Sequence, residues 1–295
     1  MKEEKELKDT ISNSEKPKKE RRKFSDTIIG LYLITFVILM LGEALGIVVA
    51  FLPYKNHDLD LYISFIGLCI VIILWIALTK RNKYMLKKLT FKWTHLLIGL
   101  VIGGTLNILC AFSAMLGKSL LIKPGTTSII FLVLAFIFTF IQSSTEELLC
   151  RLFLYQRLKE TYKKPWVVIL ASSIFFGAMH LSNPGCTIIS FLSVTMFGVF
   201  AGILIYYFDS IWLVSAIHAS WNYMQNFVLG LPNSGLPAVG SVYVITEQKN
   251  SFFYSTIFGV EGSAFALIVL SIACLITYLI CRNKKVNFEE KELSN

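Results

Sequence analysis

Long apolar runs separated by short polar or basic segments recur along the whole chain. They fall at about 27–52, 60–79, 94–116, 127–158, 165–183, 187–208, 211–230 and 254–281. Each approaches or exceeds the roughly 20 residues that a helix needs to cross a bilayer. Only a helix can satisfy every backbone polar group inside such a segment, because no water is available to do so. The pattern therefore predicts an all-α, polytopic integral membrane bundle of about eight transmembrane helices. The fourth run is longer than a bilayer requires, so it should tilt or protrude.

Composition agrees with this partition. Hydrophobic residues make up 55% of the 295 and charged ones 16%, where a soluble domain carries roughly 25% charged. Mean hydropathy is +0.64. The six cysteines show no CxxC pairing and mostly sit in apolar runs. That excludes a disulfide framework or a zinc finger as the organising principle. Residues 1–26 form a mixed-charge tail without the apolar core or small-residue cleavage site of a removable signal peptide, and are expected to be disordered.

Charge adds an orientation. Of the 28 Lys and Arg residues, 23 fall in the tail, in 80–92, in 157–164 and in 282–295, against four (Lys55, Lys118, Lys123, Lys249) in the intervening loops. Positive residues stay on the cytoplasmic side, so both termini are expected there, with a transmembrane domain at 27–281 and a second cytoplasmic tail at 282–295. The net charge of +9 is spread along the edges of apolar runs. Such placement suits anionic lipid headgroups, and no nucleic-acid motif accompanies it. Trp75, Trp93, Trp166 and Trp212 lie towards predicted span ends, as an interfacial belt would. Gly99 with Gly103 and Gly198 with Gly202 have the spacing of close helix packing and imply no chemistry. No internal repeat of the transporter kind is visible.

The fourth run ends in IQSSTEELLCRLFLY, which places Glu146, Glu147 and Arg151 in an otherwise apolar helix. A charge at the centre of a membrane helix costs about 2.5–3.5 kcal/mol on insertion scales, so these residues need partners or a wet cavity. Adjacent helical residues project about 100° apart, so the two carboxylates face different ways. Glu147 precedes Arg151 by four residues, the favourable order for an intrahelical ion pair. Glu146 is left as the freer carboxylate, on the face of Gln142 and Cys150. The fifth run carries His180, and the seventh carries His218 with Asn222 one turn later. By helical rise, Glu146 and His180 stand about 18 and 22 Å above their connecting turn, and His218 about 12 Å above its own. These residues should converge on one cavity, opening towards the cytoplasmic half.

These motifs resemble a known family, the CAAX protease and bacteriocin-processing enzymes, also called the Abi or type II CAAX prenyl endopeptidase family. EELLCR (146–151) resembles its EExxxR motif, FGAMH (176–180) its FxxxH motif and HASWN (218–222) its HxxxN motif, in order and on separate spans. The resemblance implies an eight-helix intramembrane endopeptidase with its core at 127–230. It implies that Glu146, with His180, activates a water, that His218 and Asn222 stabilise the oxyanion, and that Glu147 and Arg151 support them. The family is often catalogued as metalloproteases. Here HExxH is absent; Glu146, His180 and His218 could supply three ligands to a divalent metal such as zinc, and the reading favours no required cofactor.

Cys150, one turn after Glu146, sits in apolar surroundings that keep a thiol protonated, which favours packing over nucleophilic catalysis. Glu43 and Glu261 are lone acids expected to bond a neighbouring helix or interfacial water. His57 and His95 are expected to be solvated or interfacial. The expected partners are the bilayer and a peptide or membrane-protein substrate. A Lys-, Asn- and Ile-rich composition suggests a bacterial cell membrane as the setting. Competing functions are a non-catalytic bacteriocin self-immunity or regulatory protein, and a transporter.

Overall fold

The computed structural model describes residues 23–50, 60–284 and 286. Most of the two expected tails, together with Lys55 and His57, lies outside these residues. Nine α-helices follow one another among them: α1 (Ile28–Ala50), α2 (Asp60–Leu78), α3 (Trp93–Leu116), α4 (Ile129–Glu147), α5 (Tyr155–Thr161), α6 (Pro165–Ala178), α7 (Ile188–Phe208), α8 (Ile211–Tyr223) and α9 (Ala264–Cys281). A π-helical turn at Leu148–Leu154 fuses α4 and α5, and another at Met224–Val228 extends α8. The fused run Ile129–Thr161 has 33 residues. At 1.5 Å per residue it spans about 50 Å, which accounts for the excess length of the fourth apolar run.

By length and composition, five helical runs could cross a membrane: Ile28–Val48, Trp93–Leu116, Ile129–Thr161, Ile188–Phe208 and Ala264–Cys281; Phe65–Leu78 and Pro165–Ala178 are shorter apolar helices. The protein is an all-α membrane bundle. The helices shuttle between two ends. At one end, Arg81 and Arg157 share Asp26 and Glu160, Lys88 pairs with Asp209, and Trp212 donates to Leu89 O. This end gathers the basic segment Lys80–Leu89, the α5–α6 turn and the α7–α8 turn, and Lys284 lies over the Phe208 ring. Burial, with Glu160 alongside, pushes the Tyr84 phenol there above its ordinary value.

Local sequence explains where the helices stop. Pro165 occupies the first turn of α6, where its missing N–H costs nothing. Thr187 and Ser190 form a capping box at the start of α7, which ends at Asp209 in the left-handed region (φ 42°). Ser210 and Ser263 cap α8 and α9. Two expected spans are thereby shortened. The fifth stops at Ala178 instead of 183, because the chain turns through Asn183, Pro184 and Gly185 (φ 72°). The eighth begins at Ala264 instead of 254, because 254–263 is a loop with a 3-10 turn at Val260–Gly262.

The end opposite the basic one is built by loops. A two-stranded antiparallel sheet pairs β1 (Leu120–Pro124) with β2 (Tyr243–Gln248), which no apolar pattern had suggested. Asn183 donates to Ser234 O, and Thr127 to Gly240 O, so three loops are sewn together there. Between the ends, α3 packs on α8, α4 on α8, α6 on α7 and α7 on α9. A Cβ on Gly103 would lie 2.1 Å from Ile217 O, and one on Gly99 2.6 Å from Leu213 O. Glycine is thus what lets α3 approach the helix that carries His218, as the small-residue spacing predicted.

Candidate active site

Glu146 and Glu147 close α4 immediately before the π turn, and their side chains flank one imidazole. His218 Nδ1 lies 3.0 Å from Glu147 Oε1, and its Nε2 lies 3.9 Å from Glu146 Oε2. The roughly 100° between adjacent helical residues, expected to separate the two carboxylates, instead sets one on each edge of the ring. Glu147 also pairs with Arg151, Oε2 to Nε at 3.2 Å, as the i,i+4 spacing predicted. Arg151 donates to Gly198 O at 3.2 Å and stacks its guanidinium 4.4 Å from the Phe176 ring centroid. Both Glu147 and Arg151 are fully buried. Gly198 is therefore more than a packing glycine: its carbonyl is part of the Arg151 cradle.

Glu146 is held differently. Its Oε1 accepts a short hydrogen bond from Gln142 Nε2, while its buried Oε2 has no hydrogen-bond partner. Gln142 is oriented in turn by Asn222 Nδ2 (3.2 Å) and Ser143 Oγ (3.1 Å), which both donate to Gln142 Oε1. Asn222 also donates to Ser143 Oγ at 3.2 Å. The amide of Asn222 is thus turned onto α4, and it acts on Glu146 through Gln142. This differs from the donor role the resemblance implied, because the 218–222 spacing brings Asn222 level with Gln142.

His180 lies two residues beyond the end of α6, in the turn and not in the helix. Its N–H donates to Gly177 O, and its Nδ1 lies 2.9 Å from Phe176 O. That contact requires a proton on Nδ1, because a carbonyl oxygen only accepts. Phe176 stands beside both imidazoles, with centroid distances of 5.1 Å to His180 and 5.7 Å to His218.

Glu146, His180, His218 and Asn222 line a single cavity of about 250 Å³. Convergence is as expected, but the direction is not. The remaining polar lining comes from Glu43, Gln142 and Ser193 on helices and from Asn183, Asn233, Ser234 and Glu261 at the loop end of the bundle. The cavity is therefore roofed by the end opposite the basic segments, because His180 leaves its helix early and the loop after α8 folds back over it.

Glu261 is the member that sequence reasoning set aside. It accepts from Trp221 Nε1 (3.1 Å), from Ser234 Oγ (2.6 Å) and from the Ser234 backbone N–H. Burial pushes its carboxyl above the ordinary range, against the pull of the Ser234 bonds, His180 and the Trp221 bond. Ser234 holds a left-handed backbone (φ 48°), and its carbonyl takes Asn183 Nδ2. Glu261 thus ties the His218 helix to the His180 turn. Glu43 lines the cavity from α1, so both lone acids belong to the site. An unpaired acid beside an apolar run was the available signal. Cys150 is fully buried, its Sγ 3.7 Å from Met179 Sδ, and does not line the cavity.

Among the described residues, no group of three or more His, Cys, Asp or Glu side chains is placed to hold a metal ion. Glu146, His180 and His218 share the cavity without forming such a cluster.

Residues 126–224 match the family model described as type II CAAX prenyl endopeptidase Rce1-like. The matched segment takes in EELLCR, FGAMH and HASWN and stops two residues after Asn222, so Glu43 and Glu261 are contributed from outside it. No curated protein matches the chain.

Proposed function

We propose that the protein is an intramembrane endopeptidase that hydrolyses peptide bonds with a water activated by Glu146. The observation that carries this reading is that Glu146 lines the cavity with a buried Oε2 that has no hydrogen-bond partner, 3.9 Å from His218 Nε2. Water bound there gives a proton to Glu146 while its oxygen attacks the substrate carbonyl carbon. His180, which lines the same cavity, orients that water. His218 is best placed to face the developing oxyanion as a donor. Arg151 and a doubly protonated His218 would balance the charges of Glu146 and Glu147, so a buried set of four sums to zero. Glu146 then returns its proton to the leaving amine as the carbon–nitrogen bond breaks. Asn222 and Gln142 fix the carboxylate that does this work.

Nothing in the route passes through a metal, and the substrate is a peptide or membrane protein presented at the bilayer. Comparison of protein N- and C-termini in cells carrying the wild type or Glu146→Ala tests it. Termini present only with the wild type support hydrolysis. Identical termini in both, with equal protein levels, would return the chain to a non-catalytic role.

A further inference from the structure

One side chain in the cavity roof has no part in the hydrolysis proposed above. Asn233 lines the cavity and is only 8% exposed. Among the described residues its side-chain amide makes no hydrogen bond: Oδ1 is buried without a partner, and nothing engages Nδ2. Buried amides are almost always bonded, because an unpaired one keeps its full desolvation cost. The other amides lining the cavity are engaged, Gln142 with Glu146, Asn222 with Gln142 and Asn183 with Ser234 O.

The backbone of Asn233 is the opposite case. Asn233 and Leu236 exchange both main-chain hydrogen bonds, at 2.8 and 2.9 Å, around Ser234 and Gly235. Those two residues hold φ of 48° and 86°, the positive values that a type I′ turn requires. The turn is tethered on every side. Gln225 Nε2 donates to Pro232 O at 2.6 Å, Ser234 donates through its N–H and Oγ to Glu261 Oε1, and Asn183 Nδ2 donates to Ser234 O at 2.9 Å. Gly235 sits so close to the His180 turn that a Cβ would lie 2.2 Å from Pro184 O. A fixed backbone carrying an idle amide at a cavity is organised in advance for a ligand, since little freedom remains to be lost on binding.

Resting on the peptidase reading, we propose that Asn233 is a substrate-binding residue whose Nδ2 donates to a main-chain carbonyl of the peptide in the cavity. Peptide carbonyls are acceptors at every residue, so this contact holds the chain in one register whatever its side chains. Asn233 lies outside the matched segment 126–224, in a loop that the three motifs do not reach. Because the amide bonds nothing in the free protein, replacing it costs no stability and weakens binding.

The full chain, carrying Glu146→Gln to prevent turnover, is placed in nanodiscs of neutral lipid, with empty nanodiscs as the blank. The probe is a dye-labelled nonapeptide of alternating Leu and Ala with amidated ends, read by fluorescence anisotropy. Eight analogues each replace one peptide link by an ester, whose carbonyl is a weaker acceptor. Asn233→Ala and Asn233→Leu, each added to that chain, should weaken binding of the parent peptide about fivefold, the usual worth of one hydrogen bond, without lowering the midpoint of thermal unfolding. At one link the ester should cost about threefold with Asn233 present and nothing in the variants, while its cost at other links is the same in both. Unchanged affinity in the variants, loss of the fold in both, a weakening that singles out no link, or no saturable binding by the chain with Asn233 overturns the inference. Cleavage of the parent peptide by the wild type is scored separately. Link-selective binding through Asn233 with no Glu146-dependent cleavage sinks the peptidase reading alone. Glu146-dependent cleavage whose KM is unmoved by Asn233→Leu sinks this inference alone.

Discussion

Glu146 and Cys150 share a helical face and are one turn apart, yet the structure gives them opposite environments. Glu146 lines the cavity and has an oxygen without a hydrogen-bond partner, whereas Cys150 is buried against Met179 outside it. Glu146→Gln keeps the shape and removes the base, so turnover of a cleavable peptide should fall by roughly 10²–10⁴-fold, the usual worth of general acid–base catalysis. Cys150→Ala should stay within a few-fold of the wild type. The opposite pattern, full activity without the glutamate and none without the cysteine, would replace the proposed mechanism with a thiol nucleophile. A zinc chelator should likewise leave turnover within about twofold, since Glu146, His180 and His218 do not assemble as ligands. Loss of activity on chelation, restored by added zinc, would show a metal step that this arrangement does not account for. At this scale the sequence was informative wherever a charged residue interrupted an apolar run. Glu147 with Arg151 could be paired on spacing alone. The link from Asn222 through Gln142 to Glu146 could not, because it joins two helices whose relative height only packing sets.

Elements place these residues through contacts that an apolar pattern does not encode. Helix α7 contributes no titratable residue to the site, yet Gly198 supplies the carbonyl that holds Arg151. A Cβ there would lie 3.0 Å from Ser173 Cβ and 3.1 Å from Arg151 Nη2, tighter than ordinary contact. Gly198→Ala should therefore push α7 from α6 or tilt the guanidinium, at about 1–3 kcal/mol, the usual range for overpacking. The checks are a lower midpoint of thermal unfolding in detergent and a loss of turnover larger than that of Gly202→Ala. At Gly202 the added atom meets only Ile169, with Cγ2 at 3.0 Å. Equal behaviour of the two variants would mean that the Arg151 cradle carries no special weight. Helix interiors were legible from hydrophobicity, whereas several ends were not. The early stop of α6 depends on a turn through Pro184 and Gly185, and the late start of α9 on the Ser263 cap. Both ends were hidden because apolar residues continue past them, Leu181 after α6 and Ile257, Phe258 and Val260 before α9.

For the molecule as a whole, the partition into apolar runs anticipated the bundle, and the loops anticipated little of it. The sheet of β1 and β2, the roof over the cavity and the role of Glu261 all arise between spans, where short polar segments carry no period to read. What loops do carry is charge, and its asymmetry yields the remaining prediction. Asp26, Arg81, Arg157, Glu160, Lys88 and Asp209 interlock at one end, and Trp75, Trp93, Trp166 and Trp212 belong to helix ends on that same side. With 23 of 28 basic residues in the segments assigned to it, the positive-inside rule turns this end to the cytoplasm. Both termini then lie inside, and the cavity, roofed by Asn183, Ser234 and Glu261, faces the outer side. A fluorescent protein that folds only in the cytoplasm should light up when fused after Asn295, and alkaline phosphatase should be active when inserted beside Lys249 and inactive after Asn295. Reversal of both reporters would invert the molecule and bring the cavity to the cytoplasmic face, while activity of the phosphatase at both positions would require an even number of crossings between them.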